Sequence, residues 1–69
     1  MMEYTLVESH GQLTLDTVDG QALVVGDAIC VKVGSFWTVG DVEHDGSSYY
    51  VIAESGERIV LQPGMKIFS

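Results

Sequence analysis

The sequence predicts an all-β fold, and three observations carry that prediction. Eight glycines, at positions 11, 20, 26, 34, 40, 46, 56 and 64, cut the chain into segments of strand length. Strands average ~5–6 residues and helices ~11–12, and an interior glycine costs a helix about 1 kcal/mol, so this punctuation leaves little room for helix. Second, the stretch from Asp27 to Ile52 holds three apolar runs separated by the turn signals Gly34-Ser35 and His44-Asp45-Gly46, with the only tryptophan, Trp37, in the middle run. Third, the runs alternate: Ile29, Val31 and Val33 share one face of an extended segment, while Cys30 and Lys32 share the other.

Taken in order, Glu3 to Glu8 reads as a first strand and Ser9-His10-Gly11 as its turn. Gln12 to Val18 follows, with Leu13, Leu15 and Thr17 on one side. Asp19-Gly20 is the strongest two-residue hairpin signal, because a type I′ turn wants positive φ at both central positions. Gln21 to Val25 returns as its partner strand, and Gly26-Asp27 resets direction before the central meander. In the second central strand, Phe36-Trp37-Thr38-Val39 does not keep one inward face through to Val42 without a slip, so a bulge is expected at Gly40-Asp41. Tyr49 to Ala53 is the third central strand, with Tyr50 and Ile52 assigned to the inner face. Ile59 and Leu61 point inward from the next segment. Pro63-Gly64 turns the chain, and Met65, Ile67 and Phe68 close its end.

Short strands at 8–12-residue spacing argue for a barrel or sandwich. At 69 residues the economical form is a small SH3-like barrel of about five to seven short antiparallel strands, one domain over residues 1–69, whose closure removes long exposed edges.

A chain of this size buries only about 60% of the surface it exposes when unfolded. One cysteine, Cys30, makes no internal disulfide, and no zinc-type spacing of Cys and His is present, so the 46% hydrophobic content must supply the stability. A homodimer is one way to cover surplus apolar surface. The first residues, Met-Met-Glu-Tyr, lack the basic segment of a secretory signal. No apolar run approaches the ~18 residues of a membrane helix, and a free thiol suits a reducing compartment. A cytoplasmic location is expected, with no membrane partner.

Ten acidic residues against three basic ones give a net charge of −7. Lys32, Arg58 and Lys66 are too few for the basic patch that phosphate contacts require, which argues against direct nucleic-acid binding. An acidic surface meets a basic one instead and is steered toward it.

Asp41, Glu43, His44 and Asp45 crowd one turn. Their spacing matches no EF-hand loop, and strand alternation sends neighbours to opposite faces, so the cluster reads as a solvated acidic turn without a metal. His10 and His44 have no serine or cysteine at diagnostic spacing. Cys30 has only Lys32 as a positive neighbour, and a half-buried strand cysteine is ordinarily inert. No enzyme activity and no cofactor are expected. The aromatics Phe36, Trp37, Tyr49 and Tyr50 carry more weight, because cross-strand aromatics meet on a sheet and Trp and Tyr are enriched at binding hot spots. Trp37 is either the core anchor or an exposed contact. In the second case Trp37 and Tyr49, ringed by Asp41, Glu43 and Asp45, form a partner-binding set suited to a basic protein, with cation–π help from its Lys or Arg.

The order Leu23, Gly26-Asp27, Ile29, Val31, Val33, Gly34, Trp37, Val42-Glu43, Tyr49-Tyr50, closed by Gly64-Met65-Lys66-Ile67, resembles a family of small SH3-like domains of unknown function from bacterial plasmids, phages and integrated elements. The resemblance covers roughly residues 21 to 68. This chain departs from it in having two residues between Gly34 and Trp37 and in its greater acidity. The family carries no established activity, so the resemblance transfers no functional residues. A mobile-element source implies, by analogy, an inhibitor of a nucleic-acid-handling defence enzyme. The functional expectation is therefore a non-enzymatic acidic protein-binding module, in its sharper form an anti-CRISPR or anti-restriction antagonist acting by charge mimicry. The alternative is a structural or self-assembling dimeric subunit.

Overall fold

The computed structural model describes residues 2–17 and 20–68. The chain forms seven strands and, among the described residues, no helix: β1 (Glu3–Ser9), β2 (Gln12–Leu15), β3 (Ala28–Val33), β4 (Phe36–His44), β5 (Tyr49–Ala53), β6 (Arg58–Val60) and β7 (Lys66–Phe68). All pairings are antiparallel, in the order β2-β1-β7-β3-β4-β5-β6. The sheet curls into a small barrel-like domain, and the all-β expectation holds.

β1 serves two ladders. Glu3, Tyr4 and Thr5 pair with β7, while Leu6 to Ser9 pair with β2. The β1–β2 hairpin turns on His10 and Gly11, with φ of 54° and 78°. Both lie in the left-handed region, as a two-residue turn matched to strand twist demands. Leu6 also exchanges backbone bonds with the Pro63-Gly64 corner: its carbonyl accepts from Gly64 N–H at 2.7 Å, and its N–H donates to Met65 at 2.8 Å.

Every strand contributes to one core. Leu6, Leu15, Leu23, Ile29, Val31, Val42, Val51, Leu61 and Ile67 are buried together, with Tyr4, Leu13, Val33, Tyr49, Ile59 and Met65 packed against them. Burying a Val, Leu or Ile side chain contributes about 1.5–3 kcal/mol. With no disulfide in the chain, that contribution replaces the staples a small scaffold usually carries. The inward faces expected for β3 and β6 are the observed ones, and in β7 Ile67 is buried as expected while Phe68 turns outward.

Four expectations change. Gln21 to Val25 does not form a strand: only a bridge from Thr14 to Ala22 and a 2.8 Å bond from Leu15 N–H to the Gln21 carbonyl tie it to β2. Past Leu15 side chains replace part of the ladder, although the Asp16 N–H still donates to the Thr5 carbonyl at 3.1 Å. Asp16 accepts the Thr5 N–H on its side chain at 2.9 Å, and Thr17 Oγ1 accepts the Gln21 N–H at 3.2 Å. Of the expected Asp19-Gly20 hairpin, Asp19 lies outside the described residues, as does Val18.

The bulge at Gly40-Asp41 is also absent. β4 keeps one unbroken register with β3, from Ala28 opposite Asp41 to Val33 opposite Phe36, and another with β5, from Gly40 opposite Ala53 to His44 opposite Tyr49. No slip is required because Trp37 and Val39 face outward, leaving Thr38, Gly40 and Val42 inward. That register also reverses β5. Gly40 sits opposite Ala53 and Val42 opposite Val51, so Val51 and Ala53 are buried, while Tyr50 and Ile52 face out.

Candidate functional site

Strand alternation and the shared registers place one set of side chains on the outer face of the sheet. At one level stand Phe68 of β7, Cys30 of β3 and Val39 of β4, paired in sequence across the strands. Trp37 faces Lys32 one step along. Asp41, Ile52 and Arg58 form the next row in the opposite direction, and Glu43, Tyr50 and Val60 the last. Val39 is 59% exposed, Val60 43%, Ile52 41% and Trp37 37%. An apolar band thus crosses the open side of the sheet, with its charges at the ends.

The Trp37 ring lies against that of Phe68, with centroids 4.6 Å apart and planes inclined at 44°. The Lys32 ammonium sits 6.0 Å from the Trp37 ring, at the outer limit of a cation–π contact. Trp37 is therefore an outward aromatic anchor rather than a core filler. At the other end the Arg58 guanidinium stacks 3.9 Å from the Tyr50 ring and pairs with Asp45. Lys66 Nζ donates to Thr5 Oγ1 at 2.7 Å. All three basic residues of the chain, Lys32, Arg58 and Lys66, thus belong to this face. Its charges are mixed, and the excess of acid lies around its rim and in the turns.

Of the residues singled out from the sequence, Trp37, Asp41 and Glu43 share this outer face, with Asp41 exposed and Glu43 half-buried. Tyr49 does not. It lies on the core side of β5, packed against the buried cluster, and meets the His44 ring edge-on at 4.5 Å. Asp45 closes the β4–β5 turn: its Oδ1 accepts the N–H groups of Ser47 and Ser48 at 2.9 Å each and the Ser47 hydroxyl at 3.1 Å. These contacts, the Ser47 N–H foremost, hold its carboxyl well below the usual aspartate range, and Arg58 adds to them. Tyr50 and Ile52, expected on the inner face, stand on the outer one, and Val39, Val60 and Phe68 join them without having been singled out from the sequence. A strict period of two counted from Trp37 would have found Val39.

A second feature is a cleft of about 360 Å³ between the two hairpins, lined among others by Glu8, Leu13, His44, Tyr49, Leu61 and Pro63. His44 Nδ1 accepts the Gly46 N–H at 3.1 Å, so that nitrogen is committed to the turn rather than to a neighbouring hydroxyl. Among the described residues no group of three His, Cys, Asp or Glu side chains is arranged to hold a metal ion, and no helix is long and apolar enough to cross a membrane.

A family model described as a domain of unknown function (DUF5348) matches residues 4–67. No curated protein and no solved structure matches the chain.

Proposed function

The chain belongs to the DUF5348 family, and we propose that it is a non-enzymatic module that binds a protein through the outer face of its sheet. One observation carries this reading: the core takes all its apolar residues from one side of the sheet, yet the other side is also apolar along the line Phe68, Trp37, Val39, Ile52 and Val60. Apolar area left in water is unfavourable by about 25 cal/mol per Å², and a contiguous patch rimmed by polar groups is the usual mark of an interaction site. A tryptophan braced by a second ring is the kind of preorganised anchor that dominates interface energetics. We place the module in the cytoplasm, where the free thiol of Cys30 persists.

The test is retention of proteins from cell lysate by the intact domain and by a Val39→Arg variant, after circular dichroism has shown both to be folded. The expected result is a set of proteins held by the wild type and lost by the variant. Identical sets would remove the outer face from consideration.

The net charge of −7 supports a narrower version, in which the partner is a basic nucleic-acid-handling protein and the carboxylates stand in for phosphates. The resemblance to domains of plasmids and phages points the same way, toward an antagonist of a CRISPR or restriction complex. Binding of that kind weakens as salt rises, because exposed charges are screened beyond ~8 Å at 0.15 M. Retention that is indifferent to salt would end the mimicry version and leave the docking face standing.

A further inference from the structure

We propose that the partner seated on the outer face is a second copy of this chain, paired sheet to sheet about a two-fold axis. This rests on the docking reading above and names its occupant. The face is polarised along its strands. Lys32 stands at one end, level with Trp37, with Lys66 on the next strand, β7. Asp41 and Glu43 stand at the other end, opposite Ile52 and Tyr50, and Arg58, in the same row, is paired with Asp45, so this end keeps an excess of carboxylate. Between the ends lie the uncharged side chains of Val39, Cys30 and Phe68, with Glu3 beyond Phe68 at the β1 margin.

A uniformly acidic face would repel its own copy. A face with cations at one end and carboxylates at the other complements itself once one copy is turned end for end, which is what an isologous contact requires. An axis lying between the two faces and crossing the strands at the Cys30–Val39 pair makes that turn. It sets Val39 against Val39 of the second copy. The skew of about 30° that packed sheets adopt then carries Lys32 onto Asp41 of the second copy and Trp37 onto its Ile52. Val39, Ile52 and Trp37 are all exposed large hydrophobics, so the pairing takes apolar surface out of water. Because the sheet curls around its core, this face is convex and contact centres on β3 and β4. The area covered falls below the ~800 Å² per partner of a standard interface, and affinity in the micromolar range is expected.

Sedimentation equilibrium at about 0.15 M salt, which screens the repulsion between two acidic chains, is the test. The mass is expected to rise from the 7.5 kDa of one chain toward twice that value through the micromolar range. Reaction of Cys30 with a thiol reagent is expected to slow in step. Val39→Arg holds the chain monomeric. Lys32→Asp and Asp41→Lys each weaken pairing by about tenfold, because symmetry counts each lost pair twice. The two changes in one chain restore most of the affinity by exchanging the ends. A mass that stays monomeric up to millimolar concentration, or a double variant no tighter than either single one, overturns the proposal. If the chain is monomeric and Val39→Arg still loses a captured protein, the docking face stands and self-pairing falls. If Val39→Arg dimerises as well as the wild type, the contact lies elsewhere and self-pairing through this face is wrong.

Discussion

Gly40 and Ile52 approach so closely across β4 and β5 that a Cβ on Gly40 would stand 2.5 Å from the Ile52 carbonyl oxygen and 3.1 Å from the Val51 Cβ. The obstacle is backbone, which cannot rotate aside. Glycine is what this close approach of two backbones requires. Gly40→Ala is expected to destabilise the domain by about 1–3 kcal/mol, the cost of overpacking a close-packed site. Urea unfolding would show it as a lowered midpoint. An unchanged midpoint would mean that the two strands separate freely at this point.

Val51 and Ile52 are neighbours with opposite fates. Val51 has no exposed surface and Ile52 is 41% exposed. Val51→Ala removes two methyl carbons from the core and should cost about 1.5–3 kcal/mol. Ile52→Thr should change stability by no more than about 0.5 kcal/mol, as surface substitutions usually do. Equal losses at the two positions would contradict the facing of β5.

Asp45 links the β4–β5 turn to acid stability. Its carboxyl is held below the ordinary value by the N–H groups of Ser47 and Ser48 and the Ser47 hydroxyl, with Arg58 adding to them. A carboxylate depressed in the folded state contributes stability that is present above the unfolded pKa of ~3.9 and is lost as pH falls through the folded value. The wild type should therefore lose stability progressively below about pH 4. Asp45→Asn should be less stable at neutral pH and show a shallower decline in that acid range. Unfolding midpoints measured from neutral to strongly acid pH would separate the curves, and parallel profiles would contradict the capping role.

Arg58 stacks on Tyr50 while pairing with Asp45. Arg58→Ala is expected to cost about 0.5–1 kcal/mol, as exposed cation–π contacts and ion pairs do. Arg58→Lys should recover only part of it, because an ammonium lacks the flat guanidinium that stacks on a ring. A double-mutant cycle with Tyr50→Leu measures the ring contact separately, and a coupling of zero would assign the whole effect to Asp45.

The fold was legible where one face of a strand was polar. In β3, Lys32 stands between Val31 and Val33, and the alternation names the inward side unaided. In β5 the run Tyr49-Tyr50-Val51-Ile52-Ala53 is apolar on both faces, so periodicity carries no information about which side is buried. Register with β4 decides it. The same ambiguity divided the expected binding set: Trp37, Asp41 and Glu43 are all odd-numbered on one strand and stay together, whereas Tyr49 goes inward and Tyr50 takes the outer position. At Gly40 the sequence alone leaves two readings, because glycine in a strand signals either a bulge or a close backbone approach. Only the distance to Ile52 separates the two.

β7 spans three residues, yet among the described strands it is the one that stands between the β1–β2 hairpin and the β3–β6 meander. The β1 edge of the hairpin and the β3 edge of the meander both take ladder bonds from this one short clasp, while the Thr14–Ala22 bridge ties β2 only to the segment that follows it. Removing Lys66 to Phe68 should therefore leave two loose pieces rather than a shortened whole.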